Sequence, residues 1–83
     1  MSILPGQHSV KMVPVDAKMF ESVGYTISSR RLYIKYRNAP TVYFEGVPGF
    51  RYNGLMAAPR KDAYFTAYIK NSFLATQVPE PPA

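Results

Sequence analysis

Strict alternation of apolar and polar residues marks the middle of the chain. Across Arg31–Pro48, Leu32, Ile34 and Tyr36 alternate with Tyr33, Lys35 and Arg37. After a turn at Asn38-Ala39-Pro40, Val42 and Phe44 alternate with Thr41, Tyr43 and Glu45. A period of two sets each group on one face of a sheet. The stretch therefore predicts two antiparallel strands with an apolar inner face and an aromatic, basic outer face. Upstream, Glu21–Tyr25 predicts another strand, joined to the next by the polar loop Thr26–Arg30. Setting Tyr25 against Leu32 brings Val23 to Ile34 and Glu21 to Tyr36, and keeps the apolar residues together. In the second hairpin, Tyr36 against Val42 and Ile34 against Phe44 leaves Lys35 facing Tyr43, Arg37 facing Thr41 and Tyr33 facing Glu45. Gly24, inside a strand, marks a bulge or the close approach of another backbone or a ligand, with the bulge expected.

The period changes after Val47. Pro48 suits the first turn of a helix, where its missing N–H costs nothing. Phe50, Tyr52, Leu55, Met56 and Ala58 follow at helical spacing and read as core. Gly49 and Gly54 each weaken this helix by about 1 kcal/mol relative to alanine, and Pro59 ends it. Arg60-Lys61-Asp62 opens a second helix with Asp62 as its cap. Phe65, Tyr68, Ile69 and Phe73 form its apolar stripe, and Lys70 suits the negative end of its dipole. Tyr64 sits off the centre of the stripe, beside Arg60 and Lys61. Met12–Val15, with Pro14, reads as an edge strand or an extended arm. The expected organisation is a flexible segment over 1–12, one domain over 13–75 and a disordered Pro-rich tail over 76–83. The fold class is α+β: a three-stranded antiparallel meander followed by two short helices packed on one face.

A chain of 83 residues is expected to hold one domain with a thin core, which a second copy would help to stabilise. The absence of cysteine excludes disulfides and thiolate metal sites and fits a reducing cytoplasm. No apolar run reaches the length of a membrane span, and MSILPGQHSV lacks the features of a secretory signal. His8, the one histidine, reads as a solvated side chain. Asp16, Glu21, Glu45 and Asp62 fall at no spacing known for a metal site or an acid–base pair. The expectation is accordingly a non-enzymatic protein with no cofactor. The net charge of +5 favours anionic partners.

Several short pieces together resemble a known family. They are VPVD (Val13–Asp16), SVGY (Ser22–Tyr25), the Leu32–Tyr36 strand, VP (Val47–Pro48), LMAA (Leu55–Ala58) and YFTAYIKNSF (Tyr64–Phe73). In order and spacing they are similar to the KTSC domain, a small bacterial and phage domain also found at the C-terminus of some lysyl-tRNA synthetases. The resemblance spans Val13 to Leu74. It implies the α+β fold, and it implies RNA binding as the role suggested for the family. In one place the chain departs from the pattern: the family's tyrosine-any-tyrosine motif falls on Val42 and Phe44, which keep the apolar character and lose the hydroxyls.

Two classes of function stand out. RNA binding would use Tyr33 and Tyr43 to stack unpaired bases, with Arg30, Arg31, Lys35 and Arg37 at the phosphates. Arg60, Lys61 and Tyr64 form a second basic and aromatic group. Glu45 on the same face opposes phosphate. The alternative is a protein-interaction or self-associating module, including an inhibitor of a host protein of the kind phages encode. A Tyr- and Arg-containing face suits such an interface, and strand Thr41–Glu45 offers a pairing edge. A third reading is capture of a small anionic nucleotide between subunits, although no glycine-rich phosphate loop is present.

Overall fold

A computed structural model describes residues 10–78. The element order is β1 (Val13–Pro14), β2 (Phe20–Thr26), β3 (Arg31–Tyr36), β4 (Val42–Phe44), α1 (Gly49–Ala57), α2 (Lys61–Phe65), a π-helical turn (Thr66–Lys70) and β5 (Ala75–Gln77). The strands form one antiparallel sheet in the order β1-β2-β3-β4-β5. The α+β class holds, and the expected three-stranded meander is its centre. The sheet is wider because β1 and β5 flank it. β1 is the edge strand expected within Met12–Val15, whereas β5 was not expected, being three residues long and wholly exposed. Thr76 and Gln77, expected to lie in the disordered tail, instead pair with Tyr43 and Val42. His8 and the remainder of that tail, 79–83, lie outside the described residues.

Alternation fixes what each strand buries. Val23, Leu32, Ile34 and Phe44 point to one face, and the helices cover it with Leu55, Phe65 and Ile69. Phe65 is fully buried and meets three strands edge-to-face. Its ring centroid lies 5.3 Å from Phe20, 5.6 Å from Phe44 and 6.1 Å from Tyr36. Burial also raises the pKa of Tyr36 above the ordinary phenol value.

Two registers differ from expectation. In the first hairpin Tyr25 faces Leu32 and Val23 faces Ile34 as expected, but Phe20, not Glu21, faces Tyr36. A bulge between Phe20 and Ser22 absorbs one residue. Without it, strict alternation from Val23 would turn Glu21 into the core and Phe20 outward. The bulge reverses this and spares a carboxylate from burial. In the second hairpin Leu32 faces Phe44, Tyr33 faces Tyr43 and Ile34 faces Val42. That is a slip of two residues, which leaves every side chain on its expected face. Continuing this register would bring Pro40 opposite Tyr36, and Pro40 has no N–H for the ladder.

Gly24 is not the bulge. A Cβ there would stand 2.6 Å from Val10 Cγ1, 2.7 Å from Met12 Sδ and 3.1 Å from the Lys11 carbonyl oxygen. The glycine is a close-approach site for the segment Val10–Met12, part of the stretch expected to be flexible.

The helices need three corrections. Phe50, expected in the core, is 65% exposed. It lies five residues before the buried Leu55, about 140° round a helix of 3.6 residues per turn. Tyr68 is also exposed, at 45%. The wider π-helical turn keeps Phe65 and Ile69 inward and leaves Tyr68 outside against Tyr64. Asp62 does not cap its own helix. Its carboxylate accepts the backbone N–H groups of Lys18 and Met19, both at 2.8 Å, and so fastens α2 to the chain entering β2.

Two substitutions check this packing by urea denaturation. Phe65→Ala is expected to lower the unfolding free energy by about 3–5 kcal/mol, and a loss below about 1 kcal/mol would contradict its role in joining helix to sheet. Asp62→Ala leaves the part-buried Met19 N–H without its acceptor and the exposed Lys18 N–H to water, and is expected to cost about 1–3 kcal/mol.

Candidate functional site

The outer face of the sheet has a short aromatic and cationic row at its centre. Gly24, Tyr33, Tyr43 and Thr76 are successive cross-strand partners over β2, β3, β4 and β5. The rings of Tyr33 and Tyr43 lie 5.5 Å apart at 47°. Arg31, two residues before Tyr33 and hence on the same face, sets its guanidinium carbon 4.5 Å from the centroid of Tyr43, a cation–π distance. The Tyr33 oxygen, followed by desolvation acting the other way and by the nearby Tyr43 and Glu45, leaves the Arg31 pKa raised above its ordinary value. The guanidinium is a cation at any physiological pH. On the β1 side Val10 and Met12 cover Gly24, so the aromatic row begins at Tyr33, which like Tyr43 and Arg31 is half-buried.

The nine residues singled out from the sequence do not form one site. Arg31, Tyr33 and Tyr43 come together. Lys35 shares their face and lies 3.5 Å from Glu21 in an exposed ion pair, a contact of small energy that leaves the ammonium accessible. Arg37 is engaged elsewhere: its Nε and Nη2 donate to the Ala17 carbonyl at 3.1 and 2.9 Å. Lys61 Nζ donates to the carbonyls of Met56 and Ala58, both at 2.9 Å, and so caps the end of α1. Tyr64 packs over Gly54, where any Cβ would strike its hydroxyl. Arg60 is the non-helical N-cap residue that precedes α2. These last three lie on the helical layer, across the core from the tyrosine row.

Arg30 turns a third way. It has φ of 56°, the left-handed region, and its carbonyl accepts the Val47 N–H at 3.0 Å. With Tyr25, Ile27, Gly49, Tyr52 and Asn53 it lines a hollow of 380 Å³ at the end of the sheet. Tyr25 and Tyr52 stack there with centroids 4.8 Å apart and planes 9° apart, and the Tyr25 hydroxyl donates to the Val47 carbonyl at 2.6 Å. The sequence reading placed Tyr25 and Tyr52 in the core and did not connect them with Arg30, because the contact spans strand and helix. Thr76, which continues the row beside Tyr43, was also missed.

Among the described residues no group of three His, Cys, Asp or Glu side chains could hold a metal ion, and no helix is long and apolar enough to cross a membrane.

A five-stranded antiparallel sheet with two short helices on one face defines a small α+β domain. The chain belongs to the KTSC domain family, whose model matches residues 16–73. It is similar to a KTSC domain protein from Yersinia pestis, whose crystal structure matches with a TM-score of 0.82 and 30% sequence identity, over 86% of this chain and 100% of that one. No curated protein matches the chain. The residues standing for the family's paired tyrosines, Val42 and Phe44, face the core side, with Phe44 buried, so their apolar character serves packing.

The covered end of the row is open to test. Gly24→Val would put methyl groups where Val10 and Met12 lie. It is expected to cost about 1–3 kcal/mol through overpacking and to speed amide exchange at Val10–Val13, leaving the β3–β4 amides unchanged.

Proposed function

We propose that this protein is a non-enzymatic binding domain that takes single-stranded RNA on the outer face of its sheet. The observation that carries the reading is the pairing of Tyr33 with Tyr43 under the Arg31 guanidinium. Unpaired bases stack on aromatic rings presented by a sheet, and neighbouring cations meet the phosphates. Arg31 and the accessible Lys35 supply those cations here. The rings are held by their own strand pairing, so little side-chain freedom is lost on binding. Glu45 lies near Arg31 and bounds the phosphate path on that side. The +5 net charge adds long-range attraction. An RNA ligand and a chain without cysteine both fit a cytoplasmic site of action.

A second reading, self-association, has its own support. All three residues of β5 are exposed at the edge of the sheet, and an open edge can pair with another copy.

Anisotropy of labelled oligouridylate, oligoadenylate and a tRNA transcript, measured at several salt concentrations beside the solution mass, separates the two. The RNA reading expects submicromolar binding that weakens steeply with salt. Tyr33→Ala is expected to weaken it roughly 5- to 150-fold, the equivalent of about 1–3 kcal/mol for one base stack, with the fold intact. Arg31→Ala is expected to flatten the log–log salt slope by about 0.7, one phosphate contact on a single strand. A dimeric mass without RNA binding at low salt would overturn this reading in favour of self-association.

A further inference from the structure

We infer that the hollow between the Ile27–Arg30 turn and α1 is a separate site for a nucleoside monophosphate. The ligand would be either free or the terminal nucleotide of a strand. The site does not depend on the sheet-face reading, because none of its lining residues belongs to the Arg31–Tyr33–Tyr43 row.

Its shape and lining select the ligand. The volume of 380 Å³ is near the lower end of small-molecule sites and suits one nucleotide rather than a longer segment. The parallel Tyr25–Tyr52 pair offers a stacking platform that is already assembled, on which a planar base extends the stack. Asn53 carries both a donor and an acceptor for a base edge. Arg30 supplies the charge. No carboxylate is among the lining residues, which leaves the guanidinium free to take a phosphate in its bidentate geometry.

The backbone of Arg30 points the same way. A left-handed conformation is unfavourable for a residue with a long side chain and natural for glycine, yet arginine stands there. Strain of this kind is informative where it holds a side chain in place. The place is fixed by Val47, whose N–H binds the Arg30 carbonyl while its own carbonyl binds the Tyr25 hydroxyl. Both halves of the site are thus pinned to one buried residue before any ligand arrives. A second polar hollow, beside Arg60 and Lys61, is lined by Asp16 and Asp62, whose charges oppose an anion. The groove along Ala63 and Ala67 offers Arg60 and two tyrosines but no carboxamide.

Amide chemical shifts of the full chain, followed during titration with AMP, UMP, adenosine and inorganic phosphate, test the assignment. AMP or UMP is expected to shift residues 27–30 and 49–53 and to bind roughly tenfold or more tightly than phosphate or adenosine alone, since each of those keeps only part of the contact set. Arg30→Gly removes the guanidinium and relieves the left-handed backbone. It is expected to retain or raise Tm while weakening nucleotide binding by roughly tenfold or more. Tyr52→Leu is expected to weaken it as well, and Tyr33→Ala to leave it unchanged. A 5′-phosphorylated oligoribonucleotide that binds there more tightly than the mononucleotide would identify a strand end as the source, and the reverse order a free nucleotide. The inference is overturned if no shifts appear by about 5 mM nucleotide, beyond the millimolar range of weak specific binding. It is also overturned if the shifts fall on Tyr33 and Tyr43 instead, or if Arg30→Gly binds as well as the parent.

Discussion

The ring of Phe65 is the point at which the two layers of this domain meet. A helix laid on a small sheet must bury enough apolar surface in few contacts, and edge-to-face aromatic packing concentrates that burial. Phe65 reaches Phe20 on β2, Tyr36 on β3 and Phe44 on β4. The demand propagates outward. Phe20 can meet Phe65 only because the bulge after it turns the chain, and Phe44 lies across from Leu32 in the register that brings both beneath the helices. Asp62, three residues before Phe65, anchors the same helix by two hydrogen bonds to the chain entering β2.

A core gathered on one face leaves the other face with what remains. On the outer face the longest side chains of the central strands are Arg31, Tyr33, Lys35 and Tyr43. They are rings and cations over which, among the described residues, no helix packs; Val10 and Met12 cross the face at Gly24. The basic composition overstates this surface, because Arg37 and Lys61 are both turned onto carbonyl oxygens. Those two charges close a turn and a helix end, and recognition is left to fewer residues than the count of lysines and arginines implies.

Alternation made the faces legible. Leu32, Ile34 and Phe44 inward, with Tyr33, Lys35 and Tyr43 outward, follow from period alone, and the family resemblance follows from ordered short pieces. Pairing was less legible, because a slip of two residues preserves every face and leaves no trace in the pattern. The bulge at Phe20 was hidden for the opposite reason: it breaks the period at one residue, and only the competition between Phe20 and Glu21 for the core reveals it. The candidate residues were read as a sheet-face group and a second group on the helices, where the molecule has a sheet row, a hollow and helix-layer contacts. Tyr33, Tyr43 and Arg31 could be grouped because strand neighbours are near in sequence. Arg30 could not be joined to Tyr25 and Tyr52, since their meeting depends on where α1 begins. The carbonyl contacts of Arg37 and Lys61 were not legible, because a cation gives no sign in sequence that a carbonyl will hold it.

Val47 joins the Arg30 turn to the Tyr25 ring through its peptide groups alone, while its side chain is simply buried in the core. Conventional mutagenesis would therefore describe this residue by the volume of its side chain, tolerant of close apolar substitutes, and would pass over its connecting role. The junction belongs to the main chain, so side-chain variation can drift at this position while the geometry between turn and ring is inherited unchanged.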